Sequence, residues 1–500
     1  MTAGAAYSHV VVIGGGITGL AAAWEATLCG ARVTVLEASG RCGGKLCTEV
    51  VDGLVVEHGP DAFVSYRPAA LALIREVGLG DEVVEVRPGR SVSLRVGGRF
   101  HPLPEGMGMV VPTRLGPFVR TPILTWPQKL RAALDLVLPR RLGALDVTIG
   151  SFLRARLGDG VVERFADPMV GGIYGASVDE LSLDAVLPVL RDHERSHRSL
   201  LLASWAQGRV RRTARGPQSP FRSLRQGLGS LPDRLVEALT ESGVTIEVDA
   251  AALAVTLNAD GTTSVALAGG RTLTADAVIF AAGAHPTAAA LADHCPEAAA
   301  ALREIRHAST TVVTLAWDLT AFAAMPTTQG WLDAGPAPVT GVTVTSTKWP
   351  GRAPRDRVLV RAFVPDKIGP LASQPDGVLL DEVIRYAAAH LGATAPPVFT
   401  RMTRWTGVMP KYGVGHLDRV RAVEDGLAAY PSWEVAGAAL RGVGIPDCIA
   451  DGRRAARQVC DRLGITATQA LPEPAHHHQT ARNSTEQHDP ASPPQGAHAS

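Results

Sequence analysis

The sequence predicts an α/β protein: a Rossmann-like dinucleotide-binding domain built from discontinuous segments, a mixed-sheet second domain and a helical insertion. Three observations carry this. The β-branched run Val10-Val11-Val12-Ile13 passes through Gly14-x-Gly16-x-x-Gly19 into an alanine-rich segment, the strand–turn–helix of a dinucleotide site. A second such run, Arg32-Val33-Thr34-Val35-Leu36, ends at Glu37, about 20 residues beyond the glycines. The α/β pattern then breaks off near residue 113 and resumes at Leu231, which is what an inserted region does to one sheet.

The glycines have separate duties. Gly14 makes the tight turn, Gly16 lets backbone approach a pyrophosphate, and Gly19 lets helix pack on strand. Around them Gly15, Ile17 and Thr18 offer N–H groups at a helix N-terminus, where phosphate is favoured. The Glu37 carboxylate suits a ribose. The competing reading is a structural βαβ unit that binds nothing.

Composition is that of an ordinary globular protein, 46% hydrophobic and 19% charged over 500 residues, enough for two to three domains. A net charge of +1 gives no reason to expect nucleic acid as a partner. Residues 1–10 hold no Lys or Arg and no apolar stretch of signal length, and no run of about 18 apolar residues occurs. The expectation is a cytoplasmic protein. The six cysteines form no C-x-x-C pair, and no metal site is expected; His476, His477 and His478 fall in a Pro/His/Gln/Ser-rich tail, 466–500, expected to be disordered.

In chain order, Ala38 to Lys45 carries Arg41 and a second glycine pair, Gly43-Gly44, more than a nicotinamide site needs. It suggests a longer buried dinucleotide approached from two sides, with Arg41 or Lys45 offsetting its charge. A turn and strand follow, then the corner Gly59-Pro60-Asp61-Ala62. Residues 68–79 read as a helix and 92–101 as a hairpin. Between 124 and 138, Leu124, Trp126, Leu130, Leu134, Val137 and Leu138 alternate with Lys and Arg; this amphipathic stripe is read as core before membrane contact. Residues 161–165 and 181–190 look helical, separated by a glycine-bearing turn at 171–175. No acidic residue lies between Glu194 and Asp233, where eight arginines do: a solvated loop, or a positive field for an anionic ligand. Strands are expected at 244–248, 277–283, 310–317, 358–364 and 433–437, the last followed by Gly442 to Cys448 and a helix to about Leu463.

Gly14 to Gly19, Glu37, Arg41 to Lys45 and the stretch from Glu57 to Phe63 resemble the flavin-binding half of the amine-oxidase-like flavoproteins. With Gly172-Ile173-Tyr174, Leu181-Ser182-Leu183, Lys348-Trp349-Pro350, Arg404-Trp405, Met409 to Tyr412 and Gly442 to Ile449, the chain is similar, over about 9–463, to the oxygen-dependent porphyrinogen oxidases. The resemblance implies non-covalent FAD held at Gly14, Gly15, Gly16, Ile17, Thr18, Gly19, Glu37, Ala38, Arg41, Gly44, Lys45, Gly59, Pro60, Asp61, Ala62, Ala252, Trp405, Val443, Gly444 and Ile445. It implies substrate contacts at Arg67, Gly172 and Ile173, with Arg67 on a propionate. No catalytic side chain is assigned, because the hydride passes to the flavin. The implied domains are an FAD-binding unit at 1–90, 222–295 and 400–465, a substrate unit at 91–112 and 296–399, and a helical insertion at 113–221.

The implied reaction takes six electrons from coproporphyrinogen III, with molecular oxygen as acceptor and peroxide as product, in porphyrin biosynthesis. Protoporphyrinogen IX is the alternative substrate, and an amine oxidase or carotenoid desaturase the more distant one; a non-catalytic FAD-binding partner of haem synthesis is a third class. Peripheral membrane contact and hand-off to a chelatase go with the resemblance. Arg67 and the arginine-rich stretch favour the substrate with four propionates.

Overall fold

Five parallel strands form the sheet that the glycine turn opens. Across it they run Thr245–Glu247, Arg32–Leu36, His9–Ile13, Ala277–Phe280 and Trp433–Val435. This computed structural model describes residues 8–88, 92–108, 110–212 and 219–465, with the side chains of 209–212 excluded. The expected tail at 466–500 and the Arg209, Arg211 and Arg212 side chains lie outside the described residues.

Val10, Val11 and Val12 are wholly buried, because both faces of the sheet are covered, as parallel sheets require. Helices Ile17–Cys29, Ser230–Glu241 and Ile445–Arg462 cover one face. Helices Ala284–Leu291 and Pro296–Arg303, with a meander that begins at strand Ala252–Leu257, cover the other. Register sets Ile13 beside both Leu36 and Phe280. The carboxyl ends of strands from distant parts of the chain therefore meet where the glycine turn lies, the usual ligand position of such sheets.

The second sheet has seven strands, ordered Phe399–Pro410, His307–Asp318, Arg357–Pro365, Gly341–Val344, Gly330–Asp333, Val92–Val96 and Arg99–Pro102. One face packs on helix Asp376–Leu391. The other meets the first half of the molecule, where Ala316 and Leu359 cluster with Leu54 and Val56. The expected return to the dinucleotide unit at residue 400 falls inside the edge strand of this sheet. The parallel sheet takes the chain back only at Trp433.

The insertion is helical around a core in which Phe118, Phe152, Phe165 and Leu190 are buried together with Leu94 of the second sheet. Arg156 and Asp135, both fully buried, are bonded at 2.6 Å, and carbonyls of Pro139, Asp135 and Arg198 with the Glu194 carboxylate take the remaining donors. Removing one partner of such a pair costs about 3–5 kcal/mol.

Four expectations need correction here. The turn at 171–175 is helical: a π-helical stretch, Val162–Gly171, continues through Gly172–Tyr174 and stops at left-handed Gly175. The helix at 181–190 is two pieces, Leu183–Val186 and Pro188–His197, split because Pro188 has no N–H and starts a new first turn. The amphipathic stripe is core only at Leu124: Trp126, Leu130 and Val137 are each about two-thirds exposed, on the helix Trp126–Ala133 and the turn after it. The arginine-rich stretch is partly neutralised, with Arg222 on Glu85 and Arg225 on Glu82.

Candidate functional site

The site begins at the three glycines. Gly14 has φ +110°, and a Cβ there would meet Ala282 N at 2.8 Å; a Cβ on Gly19 would lie 1.8 Å from Gly14 O. A Cβ on Gly16 would meet nothing within 4 Å. Two glycines are thus demanded by packing, and the middle one faces a space that a phosphate-bearing ligand fits. Ile17 and Thr18 open the helix behind it, whose free N–H groups and dipole favour an anion.

Glu37 is fixed at the rim of this turn. Its Oε2 accepts from Gly15 N at 2.7 Å, and Oε1 accepts from Ser39 N and Oγ at 2.9 and 2.6 Å. A carboxylate has about four acceptor sites, so one is left for a ribose hydroxyl. Ala250 N bonds Glu37 O at 2.8 Å, which brings the start of strand Ala252–Leu257 close to the same rim. Ala38 is exposed beside it.

The second glycine pair is zipped onto the first. Gly43 N donates to Gly15 O at 2.8 Å, Gly43 and Gly16 form a bridge, and a Cβ on Gly44 would lie 3.4 Å from Gly16 Cα. Arg41 curls over this turn onto the carbonyls of Cys42 and Gly44. Lys45 follows and bonds Val408 O at 3.0 Å. Burial draws its ammonium below the ordinary lysine value.

The Gly59 corner packs directly on Lys45: a Cβ on Gly59 would lie 1.9 Å from Lys45 O. Pro60 and Ala62 flank Asp61. Asp61 accepts from Lys348 Nζ at 2.9 Å and Trp349 Nε1 at 2.8 Å, with Arg361 3.8 Å away. Burial alone would raise its pKa, but the Lys348 and Arg361 charges hold the carboxyl well below its usual range. Asp61 thus clasps Lys348-Trp349-Pro350, on the helical turn between strands Gly341–Val344 and Arg357–Pro365 of the second sheet, so two motifs read separately in the sequence form one contact. Trp405 donates to His58 O at 2.7 Å, beside the corner.

The last helix closes the site. Gly442 has φ +135°, Val443 bends the chain, Gly444 is extended, and Ile445 starts an 18-residue helix. This helix crosses the first so closely that a Cβ on Gly452 would sit 2.2 Å from Thr18 O. The first turn of the opening helix therefore packs on the last helix at its eighth residue. Cys448, buried between them, has its thiol pushed up to about 11 by burial and is a neutral neighbour of Lys45.

Arg67 is not free. It is paired with Asp447 in the first turn of the last helix. Tyr174 shares this corner, so Gly172 and exposed Ile173, on the same short helix, are brought to it. Tyr174 and Tyr412 lie 5.7 Å apart by ring centres, and Tyr412 bonds Ala438 O and Gly442 N. Burial, with Asp447 nearby, pushes the Tyr174 phenol up to about 12, and burial raises Tyr412 as well. Neither phenol ionises near neutrality, so neither is a general base. No cluster of three or more metal-ligating side chains occurs among the described residues.

Sequence reasoning missed Gly452, Arg361 and the buried Glu57–Arg352 pair, 3.2 Å apart. Gly452 and Arg361 left a local sign, a glycine inside a helix and a charge inside an apolar run; the Glu57–Arg352 pair left none in the sequence around Arg352.

Comparison with known proteins points one way. The family model described as flavin containing amine oxidoreductase matches residues 17–460. A coproporphyrinogen III oxidase of Propionibacterium freudenreichii is 52% identical over 94% of this chain and 93% of its own. That of Bacillus subtilis is 35% identical, covering 89% and 97%. The Bos taurus protoporphyrinogen oxidase is 31% identical, covering 90% and 98%. A crystal structure from Exiguobacterium sp. 255-15, described as a candidate protoporphyrinogen oxidase, superposes with a TM-score of 0.80 at 32% identity, over 92% of this chain and all of that one. Cyclohexylamine oxidase from Brevibacterium oxydans shares the fold, with a TM-score of 0.66 at 16% identity, over 92% of this chain and 100% of that one.

Proposed function

The chain belongs to the flavin-containing amine oxidoreductases, and from that premise we propose that it oxidises coproporphyrinogen III to coproporphyrin III with non-covalently held FAD. The observation that carries this is the 52% identity, over nearly the whole chain, to a coproporphyrinogen III oxidase.

The residues present fit the cofactor. The open space over Gly16 and the glycines zipped beside it suit a pyrophosphate, and the free acceptor site of Glu37 suits the adenosine ribose. Lys45, the corner from Gly59 to Ala62, Trp405 and the turn from Val443 to Ile445 would hold the flavin ring. The chemistry supplied by bound FAD would be uptake of a hydride from a ring-bridging carbon and delivery of the electrons to oxygen, giving peroxide, with three rounds needed for six electrons. The protein positions the macrocycle and excludes water. Arg67, at the exposed end of the site, takes a propionate in exchange for Asp447. Protons released by the pyrrole nitrogens need no side chain fixed beside them.

Anaerobic reduction of the bound cofactor by each porphyrinogen, then turnover in air followed by porphyrin fluorescence, tests this reading. Faster turnover of coproporphyrinogen III is expected, with FAD recovered intact on denaturation. A preference for protoporphyrinogen IX would move the assignment to that substrate, and oxidation of amines alone would overturn it.

Peripheral membrane contact is a further part of the proposal. Trp126, Leu130, Leu134 and Val137 line one exposed face, with Lys129 Nζ 4.7 Å from the Trp126 ring centre. No helix among the described residues is long and apolar enough to span a bilayer. Co-sedimentation with anionic vesicles, lost in Trp126→Ser/Leu130→Ser, is the expected result.

A further inference from the structure

A fully buried arginine stands in the middle of the seven-stranded sheet. Arg361 interrupts the apolar run Val358-Leu359-Val360-Arg361-Ala362-Phe363-Val364 and is 1% exposed. Strand alternation puts Leu359, Arg361 and Phe363 on one face. Leu359 packs on Leu54 and Val56, so this face is turned toward the dinucleotide half. Thr314 and Thr343 flank Arg361 in register.

Its partners do not use up its donors. Nη2 donates to Gly59 O, and Nη1 lies 3.8 Å from the Asp61 carboxylate, while Nε and Nη1 make no hydrogen bond. Nor do its neighbours balance its charge. Asp61 is matched by Lys348 at 2.9 Å and Glu57 by Arg352 at 3.2 Å. Three cations face two carboxylates, and the guanidinium stays protonated at any working pH. An uncompensated buried charge is costly to keep, and its field is weakly screened. It sits behind the corner whose Gly59 packs on Lys45.

We propose that Arg361 is a positioning residue for the flavin: it holds the Gly59–Asp61 corner to the second sheet and sets one net positive charge behind it, favouring the reduced cofactor. Hydride transfer brings two electrons and one proton from the porphyrinogen, so the cofactor becomes one unit more negative. A fixed positive charge stabilises that state over the oxidised one. This rests on the reading that the corner from Gly59 to Ala62 borders the flavin ring.

The test is the midpoint potential of the bound flavin, measured by anaerobic dye-coupled titration of the holoenzyme. Arg361→Met is expected to shift the reduced-to-oxidised ratio at least tenfold toward oxidised, about 30 mV for two electrons. Arg361→Lys should keep most of the wild-type value. Asp61→Asn, which removes a negative charge from the same cluster, should move the potential the other way. An unchanged potential in flavin-replete Arg361→Met overturns the proposal. Should that variant not fold, Asp61→Asn decides: a potential unchanged or lowered overturns it as well. Wild-type protein that binds flavin but oxidises no porphyrinogen would refute the substrate reading and leave the role of Arg361 standing.

Discussion

Arg67 and Asp447, 380 residues apart in the sequence, form an ion pair at the exposed edge of the site. A carboxylate substrate must compete with Asp447 for the guanidinium. Asp447→Asn is therefore expected to lower KM for coproporphyrinogen III about twofold to fivefold, the range of a half-exposed pair. Arg67→Gln should raise it, and more for the tetra-anion than for protoporphyrinogen IX. Steady-state kinetics with both substrates check this; an unchanged KM in both variants removes Arg67 from the substrate.

Glu37 holds the glycine turn and keeps one acceptor site, which the proposed function assigns to the ribose. Glu37→Ala should weaken FAD binding by about 1.5–3 kcal/mol, roughly 10- to 150-fold in Kd. Glu37→Gln, which keeps an acceptor and loses the charge, should fall between. Flavin fluorescence titration of apoprotein measures both.

Gly452 lets the last helix touch the first. Gly452→Ala should cost about 1–3 kcal/mol through overpacking and loosen FAD at the same time. Gly377→Ala is the control, since a Cβ there meets nothing within 4 Å. It should be neutral or stabilising by up to about 1 kcal/mol. Urea unfolding and flavin content together distinguish the two; equal Tm and flavin content in both variants would show that the crossing tolerates a methyl group.

Acid should weaken the fold before its carboxylates titrate. Burial lowers the pKa of His9, against the bond to Thr274 O, and of His416, against the bond to Leu440 O. The unfolded chain, titrating near 6.5, then binds more protons than the native one, so stability rises with pH. Stability is full above about pH 6.5 and declines below it. Asp61 and Glu49, both held below their ordinary values, give way only as pH falls below about 4. Unfolding midpoints should fall from pH 7.5 to 5.5, and less steeply in His416→Asn; an identical slope would exclude His416 as a contributor.

The glycine turn was legible because its geometry admits no other residue at Gly14 or Gly19. Strands at 10–13, 32–36 and 277–280 were legible because a sheet covered on both faces needs continuous apolar runs. The Asp61–Trp349 contact was not, although both motifs were, because nothing in spacing tells which motif faces which. The exposed stripe at Trp126, Leu130 and Val137 was misread for a related reason: periodicity shows that a helix has an apolar face, not what covers it. Arg67 was read as an anion site with no view of Asp447, whose position depends on where the last helix docks.

That docking carries a consequence for biogenesis. The edge strand Trp433–Val435 and the helix beginning at Ile445 complete the proposed cofactor site, whose first wall is Gly14 to Gly19. On the ribosome, more than four hundred residues separate these walls, roughly 20–90 s of synthesis at 5–20 residues per second. Throughout that interval the opening βαβ unit is present without its lid, and a nascent chain has no complete place for a dinucleotide. Cofactor capture is accordingly expected to be post-translational, with flavin supply during expression limiting the yield of finished protein. Stalled chains ending before residue 440 should retain no FAD on purified ribosomes, whereas released full-length chains should.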